Sequence, residues 1–102
     1  MNRKLIVFVP PEALEVVRDA VFEAGAGRIG AYERCSWYTE GTGTFTGGEG
    51  TSPAVGEPGR EERVRELRLE TVFPVELHEH VIAALRCAHP YEEPAFDVYE
   101  LV

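Results

Sequence analysis

The residues best suited to chemistry stand together in one short run, His89-Pro90-Tyr91-Glu92-Glu93-Pro94. An imidazole, a phenol and two carboxylates lie between two prolines. Histidine with a carboxylate binds a divalent cation or moves protons. His89 and Glu93 are the expected metal ligands. His89, Tyr91, Glu92 and Glu93 together make a candidate ligand-binding cluster. The same spelling also suits a helix stop and a tight turn, with His89 near the negative end of a helix dipole. Both uses stay open on the sequence.

Cys35 and Ser36 join the candidate ligand-binding set, although a thiol becomes a nucleophile only beside a base or with a lowered pKa. Without one, Cys35 packs. His78 and His80 are two apart on a helix and cannot face one metal; Glu76 and His80, four apart, can. The glycine-rich stretch Gly41–Gly59 is no phosphate loop. It lacks a GK[ST] ending, and the spacing of Gly41, Gly43 and Gly47 misses GxGxxG. From Cys35 to Gly59 there is no Lys or Arg, while Glu40, Glu49 and Glu57 are present.

The elements that must position these residues follow from periodicity. Lys4–Val9 reads as a strand buried on both faces, stopped by Pro10-Pro11. Leu14, Val17, Val21 and Ala24 give Glu12–Ala24 a helical stripe, ended by Gly25 and Gly27. Ala31–Thr39 alternates as a second strand, and Thr42–Thr46 is a short extra strand or hairpin arm. A long strand places Leu67, Leu69, Thr71 and Phe73 on one face and Arg68, Glu70 and Val72 on the other. Val64 falls out of step, which predicts a bend or bulge near Arg65-Glu66. Pro74 opens a second helix with Leu77, Val81, Leu85 and Ala88 on its buried stripe, and His89-Pro90 ends it. Ala95–Leu101 is the last strand. The order is that of an α+β, ferredoxin-like split β-α-β sandwich with a glycine-rich insertion. Residues 1–102 are expected to form a single domain with a flexible loop at about 41–59.

A chain of 102 residues supports one core and leaves much of its surface wet. The net charge of −8 excludes nucleic acid and anionic membrane surfaces as natural partners. No apolar run is long enough for a bilayer, and the two cysteines form no CxxC pair. A reducing cytoplasm is the expected compartment. A sheet with helices on one face only, and the aromatics Trp37, Tyr38, Phe45, Phe73, Phe96 and Tyr99 to cover, predicts a homo-oligomer.

Four stretches, taken in order, resemble one family: Val7-Phe8-Val9-Pro10-Pro11-Glu12, Gly25-Ala26-Gly27-Arg28-Ile29-Gly30-Ala31-Tyr32-Glu33-Arg34-Cys35-Ser36, Gly41-Thr42-Gly43-Thr44-Phe45, and Ala88-His89-Pro90-Tyr91-Glu92-Glu93-Pro94-Ala95-Phe96-Asp97. Their order and spacing are similar to those of the PII/CutA-like domain inserted in YqfO-type dinuclear-metal proteins, which also occurs free-standing. The resemblance implies a ferredoxin-like fold that self-associates, a trimer before a dimer. The larger relatives' two-metal site lies in a flanking catalytic domain with no counterpart here, so the resemblance implies no catalytic activity for this chain alone. It implies an oligomeric ligand-binding or regulatory module, with a small ligand or a metal-enzyme as partner. The alternatives are a CutA-like protein binding a divalent metal and a small hydrolase using His89 as base.

Overall fold

The computed structural model describes residues 1–50 and 57–102. Strand β1 (Asn2–Val9) buries Leu5, Val7 and Val9 completely on one face, and Ile6 is only 4% exposed on the other. Pro10, with φ −65° and ψ 149°, turns the chain into a 3-10 turn over Pro11–Ala13, from which helix α1 (Leu14–Glu23) continues. Proline fixes that φ and has no N–H for the ladder, so it ends a strand and starts a helix in one step. The device recurs. Strand β3 (Glu61–Pro74) ends at Pro74 with φ −66° and ψ 143°, and a 3-10 turn over Val75–Leu77 leads into α2 (His78–Ala88). Strands β2 (Ser36–Thr46) and β4 (Phe96–Glu100) follow the two helices.

The sheet order is β2-β3-β1-β4, with every neighbouring pair antiparallel. Two strand-helix-strand units interleaved in this way make the α+β ferredoxin-like, PII/CutA-like architecture. The core lies between one sheet face and the helices. Leu5, Val7, Val9, Leu69 and Phe73 meet Val17, Val21, Val81 and Leu85 there.

Three local expectations change. The second strand begins at Ser36, not Ala31, because the preceding residues are held in a loop. Gly27 N–H donates to Val72 O at 2.7 Å, Cys35 N–H donates to Gly27 O at 2.7 Å, and Ile29 and Tyr32 exchange both backbone bonds around a tight turn. Positive φ at Gly25, Gly27, Gly30 and Arg34 makes that path possible. Next, the expected strand Thr42–Thr46 is not separate but the outer half of β2, paired from Gly41↔Glu66 to Thr46↔Glu61, so the start of the expected loop at 41–46 is strand. The centre of the expected loop, residues 51–56, lies outside the described residues. Finally, no bulge interrupts β3 near Arg65-Glu66, since its register with β2 is unbroken. Val64 is out of step because β1 ends opposite Leu67. Beyond that point β2 and β3 form a two-stranded ribbon with no core face to satisfy.

The register assigns Lys4, Ile6, Phe8, Trp37, Thr39, Glu70, Val72, Asp97 and Tyr99 to the face without helices. Trp37 is 59% and Tyr99 52% exposed there. Charges fill the middle of this face, where Glu70 accepts from Arg68 Nε at 3.1 Å and faces Lys4 Nζ at 3.7 Å. Among the described residues no helix is long and apolar enough to cross a membrane.

Candidate functional site

His89 sits where the residue before a proline must leave the helix, with φ −74° and ψ 135°. Its N–H still donates to Leu85 O at 2.9 Å, closing the last turn of α2. The side chain is 6% exposed. Nε2 lies 2.7 Å from Phe8 O, and the Tyr91 N–H points at Nδ1 from 3.1 Å. A carbonyl only accepts and an amide N–H only donates, so the proton resides on Nε2 and Nδ1 offers its lone pair to Tyr91. The ring is neutral, and burial holds its pKa below 6.5 against the opposing pull of the Phe8 bond.

Both nitrogens of the expected metal ligand are therefore engaged by the main chain. In this geometry the ring staples α2, β1 and the following turn together. Glu92 and Glu93 are exposed on that turn. Among the described residues no group of three or more His, Cys, Asp or Glu is placed to hold a metal.

Tyr91, half-buried, packs its ring 5.0 Å from the His89 ring centroid. Burial pushes its phenol above 10, and the charges of Glu66 and Glu12 push it further. Glu66 is itself raised above 4.5 by burial. Its carboxylate lies where a Cβ on Gly43 would stand. Glu12 and Glu66 are thus companions of Tyr91 that the sequence reading missed. No spacing rule links them, because the chain end of β1 and the ribbon of β3 bring them to Tyr91 only in three dimensions. A glycine inside a run of strand formers was the one available signal, since it marks a place where something approaches the backbone closely.

Cys35 and Ser36 do not join the His89 cluster. Phe8, to which His89 bonds, is at the end of β1, whereas Cys35 lies alongside the strand's start. Its carbonyl accepts from Thr71 Oγ1 at 2.7 Å. Cys35 and Ser36 line an open depression of about 460 Å³ with Lys4, Trp37, Glu70 and Val72. Cys35 and Cys87 are both free thiols.

No family model matches. A protein named "GTP cyclohydrolase 1 type 2 homolog" from Mycobacterium tuberculosis is 56% identical over 99 residues, which cover 97% of this chain and 26% of the relative. The protein of the same name from Bacillus subtilis is 50% identical over 97 residues, covering 95% and 26%. The chain therefore spans about a quarter of the length of the curated relatives it matches. A solved Bacillus cereus protein related to NIF3 superposes with a TM-score of 0.85 at 49% identity, over 98% of this chain and 25% of that one. The periplasmic divalent cation tolerance protein CutA from Archaeoglobus fulgidus superposes with a TM-score of 0.71 at 16% identity, over 99% and 84% of the two chains, a likeness of fold alone.

Proposed function

We propose that residues 1–102 act as a single self-associating ligand-binding or regulatory domain without turnover of its own. The observation that carries this reading is the helix-free sheet face, where Trp37 at 59% and Tyr99 at 52% exposure flank a centre made of Ile6, Val72 and the Lys4–Glu70 ion pair. Exposed aromatics grouped on one face mark a surface that another protein covers. A second and third copy of the same chain, cyclically arranged, is the assembly expected for it.

The engaged His89 ring supports the non-catalytic part. A general base needs a lone pair facing substrate, and its Nδ1 lone pair faces the Tyr91 amide. The name of the relatives points to GTP, and in them three quarters of the chain lies outside the part matched here. GTP turnover is accordingly assigned to those other parts and not to this domain, whose compartment we take to be the cytoplasm.

Light scattering coupled to gel filtration tests the reading. The expected mass is about three times the 11.3 kDa of one chain, and Trp37→Ser with Tyr99→Ser lowers it. A monomer at micromolar concentration overturns it.

A further inference from the structure

Where β1 stops at Val9 and β3 runs on with β2 alone, the helix-free face carries an open groove of about 370 Å³. Phe8 and Ala95 wall it on one side, and Thr39 and Gly41 belong to β2 on the other. Gly41 has nothing within 4 Å of where a Cβ would stand, so a ligand can lie against the strand itself.

Two opposite charges line this groove, Glu66 and Arg68. They are two apart on one strand, so they share a face with their Cα atoms roughly 6–7 Å apart. The Arg68 guanidinium lies 5.9 Å from the Phe8 ring centroid and gives Nε to Glu70. Its two terminal nitrogens make no hydrogen bond among the described residues. Glu66 lies across Gly43, half-buried, and no cation among the described residues pairs with it. A carboxylate drawn out of water without a partner is costly, and a cation delivered to it recovers that cost.

We propose that this groove binds a small zwitterion, its ammonium on the Glu66 carboxylate, its carboxylate on the Arg68 terminal nitrogens and its carbon frame over Gly41. The alternatives fit less well. A bare metal ion lacks the clustered ligands it needs, a phosphate would face the Glu66 carboxylate, and an apolar molecule would leave both charges unanswered. The volume is at the small end of ligand pockets, which suits a free amino acid. The proposal rests on the reading of the chain as a ligand-binding module and names the ligand class.

The test follows the backbone amide signals of Gly41 and Gly43 by NMR during titration with glycine, L-lysine and L-glutamate, with butylamine and butyrate as single-charge controls. The expected result is a saturable shift at both glycines, with at least one amino acid binding about tenfold or more tighter than either control. Glu66→Gln and Arg68→Gln should each weaken it about tenfold or more, with circular dichroism showing both variants folded. Unmoved glycine signals at about 10 mM amino acid, above the weak-binding range, overturn the proposal. So do controls that bind as well as the amino acids, or variants that bind like the parent. Light scattering on the same samples separates the two readings: an oligomer with unmoved glycines refutes the groove alone, and a monomer that binds refutes self-association alone.

Discussion

The His89 ring joins the end of helix α2 to the Phe8 carbonyl of β1 by an Nε2–H···O bond of 2.7 Å, while its other nitrogen accepts from Tyr91. A buried neutral imidazole of this kind couples folding to pH. Its folded pKa is depressed below 6.5 by burial, so the unfolded chain takes up a proton first as pH falls. Stability then declines from about pH 6.5 downward until the folded pKa is reached. Urea unfolding between about pH 5 and 8 should show that decline, flattened in His89→Gln. A slope that survives in His89→Gln would assign the effect elsewhere.

Replacing the ring altogether has a different signature. His89→Ala leaves the Phe8 carbonyl and the Tyr91 amide without their partner and opens a cavity beside α2. The expected cost is about 2–4 kcal/mol at neutral pH. Chemical denaturation measures it directly. A cost below about 0.5 kcal/mol, the range of an ordinary surface change, would show that the staple carries no stability.

Much of this fold is legible in the residues, because the apolar periods of β1, α1, β3 and α2 are unmixed and each strand-to-helix step is marked by proline. What the sequence hides is whatever long-range contacts decide. The start of β2 is postponed to Ser36 by the bond from Gly27 to distant Val72 and the one from Cys35 back to Gly27. Val64 mimics a bulge only because β1 is shorter than β3. At the candidate site the His89 turn is readable from its two prolines. The partners of the ring are not, since both are main-chain groups and main chain has no spelling. Glu66 reads as one acid among many until Gly43 is seen beneath it.

Gly27 and Gly59 separate close packing from backbone strain. Both have positive φ, 87° and 85°. A Cβ on Gly27 would meet the Phe22 ring at 2.7 Å and the Cys35 nitrogen at 3.1 Å, while nothing lies within 4 Å at Gly59. Gly59→Ala should cost about 1 kcal/mol from conformation alone. Gly27→Ala adds the clash and should cost at least about 2 kcal/mol more. Thermal melts of the pair decide it, and equal losses would contradict the packing at Gly27.

Glu66 predicts the opposite pH slope from His89. Burial raises its folded pKa above 4.5, so its contribution is most favourable at low pH and is lost as pH rises through the folded value. Glu66→Gln removes that loss, so the variant should melt above the parent at pH 7, with the advantage shrinking toward about pH 4. A residue held for a ligand at some expense of stability behaves in this way. A variant that melts below the parent at neutral pH would mean that Glu66 has a favourable partner.

Zinc tests whether the His89 turn is a staple or a site. To ligate a cation, His89 must surrender the bond to Phe8 or the one from Tyr91, since each ring nitrogen is already engaged. Each such bond contributes about 1 kcal/mol, and breaking one leaves a main-chain group unpaired beside a nearly buried ring. Binding through His89 and Glu93 would have to exceed that cost before it stabilised the fold. A ligand that binds only the folded state raises the melting temperature in proportion to the logarithm of its concentration. The expectation is therefore that zinc, added in about tenfold steps to protein freed of chelators, leaves the melting temperature of the parent and of Glu93→Gln alike. A rise seen in the parent and absent in both Glu93→Gln and His89→Ala would show that the ring turns outward and that the pair is a metal site.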